Sequence, residues 1–180
     1  MNSVVTLQGQ PASLPLYLAC AFKKPNPNID KTAILGLEVN LKGSKIDLKK
    51  LDTFKSFFDI KVPQDHVPFT FLHLLIFKPH LKFMLNPIIP SPVVGLVHTF
   101  NDIISHQDVS TSDILDIQVN ASDYMDTPQG RKLTLHSRIF RDGQLVWESF
   151  SDYLNPSRSK KPSQQKTKDT ANPSTSLIEA

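Results

Sequence analysis

His66, His73 and His80 recur at intervals of seven residues. Imidazoles can ligate metals and move protons near neutral pH, so the spacing is the first candidate for chemistry. On a helix that rises 1.5 Å per residue, successive members stand about 10 Å apart, too far to share a metal ion. Pro68 also separates His66 from the other two. The geometry therefore predicts separate structural roles. Asp102 and His106 are four apart; in a strand they share a face without touching, as solvated strand-end residues. No Asp or Glu lies between His66 and Asn101, so that stretch offers no carboxylate as general base or nucleophile. Cys20 is the single cysteine, which excludes an internal disulfide and a multi-cysteine zinc site. Leu18-Ala19-Cys20 looks faintly like a lipoprotein cleavage box, but no Lys or Arg precedes it and Pro11 and Pro15 interrupt the stretch. That disagrees with a signal peptide, and a cytoplasmic protein is expected. No run approaches the roughly 18 apolar residues of a membrane span.

The elements that would position these residues follow from periodicity. Residues 34–41 alternate apolar and polar, with Leu35, Leu37, Val39 and Leu41 on one face, which predicts a half-buried strand. Lys42-Gly43-Ser44 turns the chain, and Asp47 caps a short helix through Phe58. Leu48, Leu51, Phe54 and Phe58 form one apolar stripe on it, expected to face the core. Residues 69–85 are apolar in nearly every direction of a helical wheel, so this helix must be buried on most sides. Pro79 within it lacks an N–H and should kink or split it. Strands are expected over 93–100, 114–121, 132–140 and 145–154, with Arg141-Asp142-Gly143-Gln144 specifying a tight hairpin. This order gives an α+β fold.

Hydrophobic residues make up 39% of the 180, ordinary for a globular core. The net charge of +3 is carried by residues 155–180, where five basic residues face two acidic ones. The remainder is neutral, which gives no electrostatic footprint for nucleic acid. Residues 1–13 read as a flexible N-terminus and 14–154 as the domain. Residues 155–180 are rich in Ser, Pro, Lys, Thr and Gln, and read as a disordered basic tail or linker.

With the elements placed, a family resemblance emerges. Leu37-Glu-Val-Asn-Leu-Lys-Gly-Ser-Lys-Ile-Asp-Leu-Lys-Lys-Leu51 resembles the opening strand and helix of two-part MaoC-like acyl dehydratases. Val67-Pro-Phe-Thr-Phe-Leu-His-Leu-Leu-Ile-Phe77 is similar to that family's Pro-x-Thr-Tyr-Pro-His-Val-Leu-Ala-Phe segment, and Val94-Gly-Leu-Val-His-Thr-Phe-Asn101 to its Leu-Gly-Leu-Val-His strand. Gly143-Gln-Leu-Val-Trp-Glu148 looks like its final hairpin. The match is colinear over residues 14–154.

The resemblance implies a hotdog fold, an antiparallel sheet wrapped around a long buried helix, of the type of the family's N-terminal, non-catalytic half. It implies an association with hydration or dehydration of acyl-CoA or acyl-carrier-protein thioesters. In such proteins the first half shapes the acyl pocket, and the second carries an Asp-x-Asn-Pro-x-His motif whose Asp and His add or remove water. That motif is absent here: Asn86-Pro87 lacks both the Asp and the His, and residue 180 falls about where a second half would begin. His73 matches the family His at the start of the helix, where it could cap the helix or line the pocket. Phe77, His98 and Asn101 could border an acyl channel, or simply pack. No catalytic residue, metal or cofactor is expected. The expected partner is a second hotdog half, from another copy or another chain, giving a dimer. The open alternatives are a complete small hydratase or thioesterase using His73, His98 or Asp102, and an interaction domain without acyl ligands.

Overall fold

In the computed structural model, which describes residues 3–156, the hairpin signal is realised in its simplest form. Asp142 and Gly143 both adopt positive φ, 51° and 79°, the pairing that a two-residue turn between twisted strands requires. They join β7 (Gly130–Arg141) to β8 (Gln144–Pro156), and β6 (Ile114–Thr127) pairs antiparallel with β7 on its other side. β2 (Leu37–Lys45) and β4 (Val97–Ser105) flank this meander, and β1 (Ser3–Gln8) adds to the outside of β2 in parallel. The resulting order is β1-β2-β6-β7-β8-β4. β3 (His66–Val67) and β5 (Val109–Ser110) form a separate two-residue ladder.

α4 (Phe69–Leu85) lies against one face of this sheet. Its Phe71, Leu72, Ile76, Phe83 and Met84 meet Val39, Leu41, Ile117, Val119, Leu135 and Ile139 in one core. Trp147 is fully buried, and its Nε1–H donates to the Phe69 carbonyl at 3.0 Å, fastening the start of α4 to β8. Pro79 does not split the helix. The carbonyl it leaves without an i+4 donor is that of Leu75, and Gln10 Nε2 donates to it at 3.1 Å.

The chain ahead of α1 also holds an element not expected within residues 1–13. Ser3–Gln8 is a strand because β2 presents an unpaired edge: Ser3 N–H donates to the Gly36 carbonyl and Gly9 N–H to that of Lys42, while Val5 and Leu7 pack against the core. α1 (Ser13–Phe22) then turns Leu16 and Cys20 onto Leu81, and burial raises the Cys20 thiol pKa.

β6, β7 and β8 run longer than the expected 114–121, 132–140 and 145–154, and three further differences have local causes. Ile34 and Leu35 belong to α2 (Lys31–Leu35), because the Asp30 carboxylate accepts from Ala33 N–H and starts a helix there; β2 begins only at Leu37. Lys42-Gly43-Ser44 is a bulge inside β2 rather than a turn, held by Asp116, which takes the Lys42 ammonium at 2.8 Å and the Gly43 N–H at 3.0 Å. β4 starts at Val97 instead of residue 93 and reaches Ser105, since Pro90, Pro92 and a left-handed Gly95 (φ 97°) keep the preceding segment out of the sheet.

α3 (Leu48–Phe57) is capped by Asp47 as expected, with the carboxylate accepting from Lys50 N–H at 3.2 Å. Its stripe is only half used. Leu51 is buried and the Phe54 ring meets Phe71 edge-on at 5.4 Å, but Leu48 and Phe58 are exposed. α3 meets α4 through the Phe54–Phe71 ring contact, and Leu48 and Phe58 lie outside it. Beyond Pro156, the expected tail lies outside the described residues.

Candidate functional site

Inward-facing strand positions normally carry apolar side chains, yet β8 places Trp147, Ser149, Ser151 and Tyr153 on its inner face, and β7 adds Ser137. These hydroxyls form a polar layer between α4 and the β8–β4 end of the sheet. His80 enters it from α4 and is almost wholly buried. Its Nδ1 lies 2.8 Å from the Tyr153 hydroxyl and its Nε2 2.6 Å from Ser137 Oγ. Both ring nitrogens are thereby satisfied, as a buried neutral imidazole requires. Burial, followed by the neighbouring His73 and His98 rings, pushes the His80 pKa down to about 3, and burial raises that of Tyr153 to about 12.

His73 lies two turns before His80, and the two rings meet edge to face with centroids 6.3 Å apart. This is closer than the helical rise predicts, because the side chains lean together. The His73 ring is parallel to that of His98, 3° apart in plane and 6.0 Å in centroid, and it also contacts Trp147 at 6.4 Å. Burial and then His98 lower its pKa. Its Nδ1 is buried without a hydrogen-bond partner among the described residues, as is Ser149 Oγ in the same layer. Among the described residues no side chain caps the start of α4, and the ring contacts of His73 are with His80, His98 and Trp147. His98, on β4, stacks on Tyr153 at 4.8 Å. Asn101, three residues on, accepts from Ser151 Oγ at 2.8 Å.

Of the four pocket candidates, His73 and His98 are thus in ring contact, and Asn101 joins the layer through Ser151. Phe77 follows His73 by one turn on the same face of α4, 45% exposed, and no ring contact links it to the cluster among the described residues. His66 stands apart in β3. Sequence reasoning missed His80, Tyr153 and the three serines. The available signal was register: Ser149 and Ser151 alternate in phase with Trp147 and Tyr153, an unusual choice for a core face.

The carboxylates of this region point to the other face of the sheet. Glu148 accepts from His106 Nε2 at 2.9 Å and from His136 Nε2 at 2.7 Å, contacts that lower its pKa. Asp152 is held by Thr134 at 2.6 Å and Lys132 at 3.1 Å. Asp102 alternates with Asn101 and stands opposite Phe150, away from the layer; His106 is engaged by Glu148, so Asp102 and His106 form no dyad. Among the described residues no three His, Cys, Asp or Glu side chains converge to hold a metal ion. The layer can offer hydrogen bonds to a carbonyl, but no Asp–His pair that would activate water.

One long edge of the sheet borders this layer. Among the described residues no strand pairs with the outer side of β4, and eight of its nine residues are exposed, among them Val97, Phe100 and Ile104.

No family model and no curated protein sequence matches the chain. Solved structures do. HtdX of Mycobacterium tuberculosis superposes with a TM-score of 0.62 at 18% identity, over 66% of this chain and 51% of that one, so the chain spans about half the length of HtdX. The HadBC (3R-hydroxyacyl-ACP dehydratase) complex of the same organism gives 0.53 at 16% identity, covering 61% of this chain and 88% of that one. Its ChsH1–ChsH2 complex gives 0.51 at 14%, covering 79% and 98%. At these identities the likeness is one of fold, and it agrees with the wrapped helix and strand order described above: the chain has the hotdog fold.

Proposed function

We propose that the chain is a non-catalytic hotdog half that lines the pocket for a fatty acyl thioester, carried on CoA or an acyl carrier protein, once a second hotdog half pairs along β4. The observation that carries this reading is the polar layer, which reaches the exposed His98 and Asn101 on the edge strand β4 and contains imidazoles but no carboxylate. His73, with its unpartnered Nδ1, would donate to or accept from the ligand, while His98, Asn101 and Phe77 border the channel. An exposed nine-residue edge with apolar side chains is a liability that a partner strand removes. Two of the similar solved structures, HadBC and ChsH1–ChsH2, are complexes, which is consistent with a partner half. The partner would supply the Asp and His that water addition needs.

The test is to incubate the purified chain with crotonyl-CoA while following enoyl absorbance and the thermal transition. The expected result is no turnover by the chain alone, and a thermal shift that requires the partner half and is lost in His73→Ala. Turnover by the chain alone, abolished in His73→Ala, would instead establish the complete small hydratase. The absence of any thermal shift with CoA thioesters, with or without a partner half, would leave only an interaction domain.

A further inference from the structure

Leu74 and Lys78 lie on a face of α4 turned about 100° from His73 and Phe77, and this face borders two clefts that the polar layer does not use. The first, of about 410 Å³, is bounded by Gln10, Ser44, Lys45 and Lys78. The second, of about 610 Å³, is bounded by Phe54, Phe57 and Phe58 on α3. Asp47, Lys50 and Leu74 line both, so the two are one groove, more polar at the Lys45–Lys78 end and more apolar at the Phe57–Phe58 end, where Lys49 also borders it. Each of the two clefts falls in the size range of small-molecule sites, roughly 300–1,000 Å³.

The polar end carries uncompensated positive charge. Asp47 is its one carboxylate and is already engaged by Lys50, whose Nζ stands 3.0 Å away. Among the described residues Lys45 and Lys78 form no ion pair. Lys78 is partly buried, with the Pro11 carbonyl as partner at 2.7 Å. At the other end Phe57 is 80% exposed and Phe58 58%, an aromatic surface that a soluble domain ordinarily covers when it is contiguous. A groove cationic at one end and aromatic at the other is complementary to a molecule with the matching division.

We propose that this groove binds a straight-chain alkyl amphiphile with a single anionic head group, the head between Lys45 and Lys78 and the chain passing over Leu74 onto Phe54, Phe57 and Phe58. The assignment does not depend on the thioester reading, since it uses none of the polar-layer residues. Isothermal titration of residues 1–180 with decanoate tests it against decanol, which lacks the charge, acetate, which lacks the chain, and phosphatidylglycerol vesicles, which present the same chemistry as a bilayer.

Saturable 1:1 binding of decanoate is expected, with acetate showing none and decanol at least about fivefold weaker. Lys45→Gln/Lys78→Gln should weaken decanoate about five- to tenfold, the size of two solvent-screened charge contacts, while leaving decanol unchanged. Phe57→Ser should weaken both. If loss of the Pro11 contact unfolds the double variant, Lys45→Gln alone, at an exposed strand end, carries the charge test with about a threefold effect. Equal affinity for decanol, unaltered decanoate binding in Lys45→Gln and Phe57→Ser, or association with vesicles alone would each overturn the proposal.

Discussion

Lowering the pH should destabilise the fold through His80 specifically. In the unfolded chain this imidazole has its ordinary pKa of 6.5, and in the folded state burial holds it at about 3. A group whose pKa is depressed by folding contributes stability that is fully present above its unfolded pKa and is lost as pH falls toward the folded one. At pH 5 the unfolded chain takes up the proton and the native state refuses it, a gap of 1.5 units below 6.5. At 1.36 kcal/mol per unit this costs about 2 kcal/mol relative to pH 8, rising further toward pH 3. His80→Gln removes the titration but keeps a donor and an acceptor for Tyr153 or Ser137. Urea unfolding of both proteins at pH 8 and pH 5 gives the number directly. His73, whose pKa is also depressed, and Glu148, whose stabilising contacts are lost in acid, titrate alike in both proteins and cancel in the comparison. The wild type should lose about 2 kcal/mol more than His80→Gln between the two pH values. Equal losses would refute the claim that a neutral, fully satisfied His80 anchors the polar layer.

Gln10→Ala should cost about 1–2 kcal/mol by urea unfolding, because it strands the Leu75 carbonyl; in a Pro79→Ala background, where residue 79 can supply that bond, the cost should fall below about 0.5 kcal/mol. Phe100→Glu/Ile104→Lys on β4 should leave the unfolding transition unchanged within about 0.5 kcal/mol, since both side chains are exposed, yet abolish association with a second hotdog half in size-exclusion chromatography. Asp47→Ala should destabilise by about 1 kcal/mol through loss of the α3 cap, with a matching fall in the urea midpoint.

Much of the architecture is written in local chemistry. Asp142-Gly143 admits one turn, Asp47 starts one helix, and a segment as apolar as 69–85 can only sit inside. What was illegible depended on partners distant in the chain. Ser3–Gln8 becomes a strand because β2, some thirty residues later, has an open edge, and Pro79 is tolerated because Gln10 happens to reach Leu75. The same holds for the site. His73 was found through a family pattern, but His80 looked like one member of an accidental series, since nothing near it in sequence announces Tyr153 and Ser137. The α3 stripe misled for the converse reason: periodicity reports a face, and whether the molecule covers that face is decided elsewhere.

The fastening of α4 by Trp147 has a consequence for how the chain is made. During synthesis the apolar helix leaves the ribosome well before β6, β7 and β8, which wrap it, and its start cannot be tied down until residue 147 has emerged. For the length of that interval α4 has only earlier elements such as α1 and β2 to cover it, so translation stalls or stop codons between residues 85 and 147 should yield products prone to aggregation or chaperone capture. Refolding of the full chain is expected to be slow for the same reason, because the contacts that matter join distant residues. A ribosome-arrest series monitored by protease resistance should show protection of α4 appearing abruptly once β8 clears the exit tunnel, with little gained at earlier lengths.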